Sequence, residues 1–229
     1  MTKYGCVDTE GRARWAASAQ IVHAPANGAN SYTLTEKGEG ALSGFKGKVS
    51  WEARLDFEST REMVRPISSE NKVFDDSGKL IFKDRQDFNY NTHKARYNSE
   101  DLLRKKTRKA EYSFNGAIAN KMILGLYIQK FLEQGQKEEP LVFLSNEPRL
   151  YTVKLKVVGE EDVTINGIKK EAFKLCLDPQ LGALNFVKTV IPKSYVWHSR
   201  TPEFEWLRYR GLENSLGSPM VEITSEDIR

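Results

Sequence analysis

Apolar and polar residues alternate along most of this chain. In KVSWEARLDFES, Val49, Trp51, Ala53, Leu55 and Phe57 share one side while Ser50, Glu52, Arg54, Asp56 and Glu58 share the other. A period of two predicts a strand of an antiparallel sheet with one buried face. The preceding stretch NSYTLTEKGEGALSGFKGK reads as a second strand followed by Gly38, Gly40, Gly44 and Gly47, where the chain can bend or bulge, so the two segments predict one long hairpin. In VFDDSGKLIFKDRQDFNYN a polar turn from Asp75 to Gly78 separates two further strands. RLYTVKLKVVG alternates through Tyr151, Val153, Leu155 and Val157, and Asn166-Gly167 in VTINGIKKEAFKLCL is the chain's strongest hairpin signal.

One stretch departs from this period. SFNGAIANKMILGLYIQKFLEQGQ is rich in helix formers, has Ser113 or Asn115 as a candidate cap and Gly135 as a stop, and predicts a helix over Ala117–Gln134. Its apolar residues cover more than one stripe, so the helix should be covered on more than one side, against or inside a curved sheet. The chain shows no repeat, Pro-rich or Ser-rich linker, or sharp change in composition. The economical reading is a single domain over 30–229, preceded by a segment, 1–29, that is extended or disordered.

The totals change this picture little. With 229 residues, 39% of them hydrophobic, the chain can bury a sizeable core. Thirty-five basic against 31 acidic residues give a charge of +4, which demands no nucleic-acid partner. The two cysteines, Cys6 and Cys176, have no C-x-x-C companion and leave the redox compartment open. The longest apolar run, Met122–Ile128, is about a third of the roughly 20 residues a membrane-spanning helix needs. The first twenty residues hold no signal-peptide core. An exported location therefore requires a leader absent from this sequence; otherwise the protein is cytoplasmic.

No catalytic residue is nominated. G-x-x-x-x-G-K-[ST], H-E-x-x-H and G-x-S-x-G are all absent, and His23, His93 and His198 stand at no metal-ligand spacing, so neither a metal nor another cofactor is expected. Acidic clusters at Asp75-Asp76, Glu138-Glu139 and Glu160–Asp162 fall beside turn signals and read as solvated charge. The basic run RKKTRK is the clearest charge asymmetry. Arg104, Lys105, Lys106, Arg108 and Lys109 are candidates for contact with an anionic surface, against the plainer reading of a solvated loop or a lysine-rich edge strand kept from pairing by its charge. It lacks the interleaved aromatics of a nucleic-acid platform until Tyr112.

From about Asn30 to Ile223 the order of features resembles an exported bacterial family, the domain-of-unknown-function 3108 family, related in fold to the LolA and LolB lipoprotein carriers. The resemblance rests on the opening hairpin YTLTEKGEGALSGFKGKVSWEARLDFES, on VFDDSGKLIFKDRQDFNYN, on the single helix, and on VWHSRTPEFEWLRYRG. VVGEEDVTINGIKKEAFKL is its most telling part. It implies a mainly β (α+β) fold: a strongly curved antiparallel sheet, a half-barrel, with one substantial helix on its concave side. It also implies a non-catalytic periplasmic or outer-membrane-associated protein that takes a lipid or acyl ligand in the concavity by burying apolar area. The residues nominated to line it are Trp51, Leu55 and Phe57 from the sheet and Met122, Ile123, Leu126 and Phe131 from the helix, for each of which ordinary core is the plainer reading. Two other classes stay open: an envelope interaction module that docks an envelope protein or an anionic membrane through a sheet edge or the basic run, and an enzyme shaping a small intermediate.

SYVWHSRTPEFEWLRYRG, with two of the four tryptophans, reads as a closing hairpin with its turn at Pro202. Tyr195 and Trp197 share one side. His198 falls on the other, which places it outside the cavity in this reading.

Overall fold

A computed structural model describes residues 1–25, 30–180, 192–214 and 217–226. The chain opens with β1 (Thr2–Asp8) and β2 (Ala13–His23), then forms the glycine-rich hairpin of β3 (Ser31–Gly40) and β4 (Val49–Ser59). A meander follows through β5 (Val64–Phe74), β6 (Leu80–Asn89), β7 (Lys94–Asp101) and β8 (Lys106–Ser113). The short β9 (Ile118–Ala119), α1 (Leu124–Glu133) and β10 (Glu138–Leu144) lead into β11 (Leu150–Ile165), β12 (Ile168–Gln180), β13 (Ser194–Ser199), β14 (Trp206–Leu212) and β15 (Met220–Ser225).

All the strands belong to one sheet, ordered β8 back to β1 and then β15 back to β9. The pairing of β1 with β15 joins the two halves, through Tyr4 opposite Ser225 and Cys6 opposite Ile223. Among the described residues every pairing is antiparallel except that of β9 with β10. The sheet is strongly curved and open, not closed into a barrel, and α1 lies on its concave side. Strand twist bends a sheet of this width, and register shifts in β1, in the β4–β5, β5–β6 and β13–β14 pairs and in β11 add local bends. This is the mainly-β, one-helix architecture read from the sequence.

The expected hairpins form where their turns demand. Asn166 and Gly167 both have positive φ, at 51° and 79°, the handedness that joins twisted strands in two residues. Asp75 Oδ1 accepts hydrogen bonds from the Ser77 hydroxyl and from the backbone N–H of Ser77 and Lys79, fixing the β5–β6 turn. Within the segment 1–29 set apart on sequence, residues 2–8 and 13–23 form β1 and β2 at the middle of the sheet. Residues 26–29, the end of that segment, lie outside the described residues.

The helix is shorter than its composition predicts. Ile118 and Ala119 pair with β10, and the helix begins only at Leu124. Asn120 causes the delay. Its Oδ1 accepts the Ile123 N–H, while its Nδ2 donates to Ser69 Oγ at 3.1 Å and Gln86 Oε1 at 2.9 Å, tying the turn ahead of α1 to β5 and β6. Such local side-chain bonds compete with helix. The main core gathers α1 residues Tyr127, Ile128, Phe131 and Leu132 against Leu55, Leu141, Leu155 and Leu175 of the sheet.

Candidate ligand-binding hollow

Beside this packed core the concave face leaves a hollow of about 1460 Å³. One row of cross-strand partners explains its character. From β1 to β4 the row is Thr2, Ala19, Glu36 and Ala53; Thr2 and the two alanines are short and leave open space, while the Glu36 carboxylate is drawn to the Trp51 indole N–H. From β5 to β8 it continues with Asn71, Asp84, Ser99 and Arg108, directly opposite one another and all lining the hollow. The facing wall is apolar: Met122, Leu124 and Leu126 on α1 and the turn before it, with Val153, Leu177 and Val196 on β11 to β13. The hollow thus has an apolar side and a polar end.

The nominated residues divide between wall and core. Trp51, Met122 and Leu126 line the hollow. Leu55, Phe57 and Ile123 are sealed in the main core, and Phe131, also buried, borders a separate pocket of about 330 Å³ at the other end of α1. The reason is position: Leu55 and Phe57 lie where α1 covers β4, whereas Trp51 lies beyond its reach. Gly38 sets the indole's place. A Cβ there would stand 2.1 Å from Trp51 Cζ2, so only glycine admits the ring, which donates its Nε1 hydrogen to Glu36 Oε1 at 2.9 Å.

The basic run also divides. Arg104, Lys106 and Arg108 line the hollow at its polar end, while Lys105 sits in the β7–β8 turn with φ 51° and Lys109 falls on the opposite face of β8. Arg104 pairs with Asp101 at 3.1 Å. Among the described residues Lys105, Lys106, Arg108 and Lys109 have no ion-pair partner, whereas charges elsewhere on the neighbouring strands pair closely, such as Lys83 with Glu100 and Arg96 with Glu111. Lys106, Arg108 and Lys109 lie on β8, which is an edge strand, while Arg104 and Lys105 lie in the turn before it.

His198 corrects an expectation. It does lie opposite Trp197, but the tryptophan is the one outside: Trp197 packs with Val163, Ile165, Ala172 and Leu207 in a separate cluster, and His198 is wholly buried on the concave side against the hollow. Its Nδ1 lies 2.7 Å from the Phe204 carbonyl oxygen, which can only accept, so Nδ1 carries the hydrogen. Burial holds its pKa down at about 4, against a partial upward pull from that bond, and the ring is neutral at pH 7.

Asp84 was not singled out by any motif. It is buried on the wall of the hollow, and burial pushes its pKa up to about 7; the Asn71 amide bond offsets part of this and the nearby Glu70 carboxylate adds to it. A signal did exist. In β6, Asp84 and Gln86 share the strand face of Phe82 and Phe88, so polar residues stand where alternation calls for apolar ones. Among the described residues no cluster of potential ligands could hold a metal ion, and no helix is long and apolar enough to cross a membrane. Cys6 and Cys176 are both buried, and neither forms a disulfide among the described residues. Comparison with protein-family models, curated proteins and solved structures finds no match.

Proposed function

We propose that the protein is a non-catalytic binder of a lipid or other molecule with a long apolar body, held in the hollow between α1 and the sheet. The carrying observation is the hollow itself: about 1460 Å³ remains beside the packed core, with an apolar wall formed by Met122, Leu126, Val153 and Leu177. Ligand pockets commonly measure about 300 to 1,000 Å³, so the space holds at least one long chain. Burial contributes about 0.8 kcal/mol per CH₂ and association costs roughly 4 kcal/mol or more, so a chain of ten or more carbons binds where one of four does not. The order of features that resembles the half-barrel carriers in sequence points to the same reading. An envelope location, periplasmic or outer-membrane associated, belongs to it and is checked by cell fractionation.

The test is titration of the purified protein with a fluorescent long-chain fatty acid, alongside native mass spectrometry for a co-purifying acyl compound. Uptake should be saturable, and Leu126→Trp, which fills the hollow from α1, should weaken it at least about tenfold while the protein still unfolds cooperatively. A clean apo mass with no uptake defeats the proposal.

A further inference from the structure

The polar end of the hollow brings a buried carboxylate with a single donor near two exposed cations that have no ion-pair partner among the described residues. Two buried carboxylates show the difference. Glu213 is closed in by donors: both Arg14 Nε and Nη2, the Trp15 indole N–H at 2.7 Å and the Ser43 backbone N–H at 2.8 Å. Asp84 is almost as deeply buried, at 5% exposure against 3%, yet it accepts a single hydrogen bond, from Asn71 Nδ2 to Oδ2 at 3.2 Å. Among the described residues Asp84 Oδ1 has no partner. Burying a carboxylate with only one donor is costly, and one on the wall of a cavity, whose second oxygen is not sealed within the protein, can be completed from the cavity side. Two strands away, about 10 Å at the usual strand spacing, Arg108 lines the same end, and Lys106 lines it on the neighbouring row. Neither cation has an ion-pair partner among the described residues.

Building on the reading of the hollow as an apolar-ligand site, we infer that its polar end is a head-group subsite for a zwitterionic amphipath: a primary ammonium completes Asp84 while an anionic group, such as a phosphate, meets Arg108 and Lys106. The apolar wall on α1 and β11 to β13 takes the chain. A ligand with only an anionic head would leave Asp84 uncompensated, and one with only an ammonium would meet the two free cations with like charge. Asp84 is flanked by Asn71 and Glu70 from β5, by Ser99 and Tyr97 from β7 and by Arg108 from β8, with Glu70 itself paired to Lys72. Because Asp84 titrates near pH 7, the ammonium contact strengthens as pH rises through neutrality, while the phosphate contact does not change with it.

The experiment is displacement of the bound fluorescent fatty acid by two single-chain lipids of equal chain length, lysophosphatidylethanolamine and lysophosphatidylglycerol. Phosphoethanolamine without a chain serves as a third competitor. At pH 8 the ethanolamine lipid should bind roughly tenfold or more tightly than the glycerol lipid, the scale of one charge-assisted hydrogen bond. That ratio should shrink towards one at pH 5. Asp84→Asn should abolish the preference at pH 8, and Lys106→Gln with Arg108→Gln should weaken both lipids. Equal affinities at pH 8, a preference retained in Asp84→Asn, or displacement by phosphoethanolamine alone as effective as by its lipid would each overturn the inference. Failure of the head-group subsite leaves fatty-acid uptake in place; failure of the hollow itself abolishes uptake together with binding of both lipids.

Discussion

Glu213 and Asp84 respond to acid in opposite ways because their surroundings compensate charge so differently. For Glu213, burial alone would raise the pKa, but the bonds from Arg14, Ser43 and Trp15 outweigh it and the carboxyl is held below its ordinary range. Its contribution is therefore present at neutral pH and is lost as pH falls through that lowered value. Asp84 has the reverse sign. Folded, it keeps its proton up to about pH 7, whereas the unfolded chain releases it near 3.9, so the folded state loses stability as pH rises between those values. At about 1.4 kcal/mol per pH unit the loss is on the order of a few kcal/mol. Asp84→Asn removes it: the variant should gain on the wild type steadily from pH 4 to pH 7 and keep a constant advantage above about pH 8. Glu213→Gln, which weakens the charged clamp between β2 and the glycine-rich loop, should cost roughly 3 to 5 kcal/mol at pH 7. Urea midpoints across pH measure both.

At the scale of elements, the start of α1 is fixed by one buried amide. Asn120 is 2% exposed, and its bonds to Ser69, Gln86 and the Ile123 N–H decide where β9 ends and the helix begins. Asn120→Ala should cost roughly 2 to 4 kcal/mol by denaturant unfolding, through loss of the cap-like bond and of the closer donor to buried Gln86 Oε1, which keeps only the 3.5 Å contact from the Ser69 hydroxyl. Asn120→Asp should be at least as damaging at pH 7, since it turns an acceptor towards Gln86 Oε1, and should recover in acid. The limits of sequence reading show in this same stretch. Alternation and turn chemistry are local, so the strands around Trp51, the Asn166-Gly167 turn and the closing hairpin were legible. The early break in the helix was not, because it depends on Ser69 and Gln86, distant in sequence. For the hollow, the sequence supplied Trp51, Met122 and Leu126 but could not separate them from Leu55 and Ile123, which share their parity or helix face and differ only in what α1 covers. His198 was misplaced because parity tells which residues oppose one another, not which face is concave.

On the scale of the whole molecule, the open sheet raises the question of what holds its curl. No ladder joins β8 to the β9 edge. Instead the segment after β10 is pinned over β6 to β8 by side chains that donate to its backbone: Gln86 Nε2 to the Ser145 carbonyl at 3.4 Å, the Tyr97 hydroxyl to the Asn146 carbonyl at 2.7 Å and the Tyr112 hydroxyl to the Pro148 carbonyl. Each such bond contributes only about 1 kcal/mol, against the many bonds of a strand ladder, so the pins should open well below the free energy of global unfolding. Tyr97→Phe combined with Tyr112→Phe removes two of them without removing the rings. Amide exchange at residues 144–149 should then rise by roughly 10- to 100-fold, while β1, β14 and β15, held on both sides by ladders, keep their protection. Phe143, Ser145 and Asn146 also line the hollow, so the same opening widens its mouth and a long apolar molecule seated there should slow exchange in this segment. If the double variant instead unfolds globally with no local rise in exchange, the pins belong to the cooperative core and the curl is fixed by packing alone.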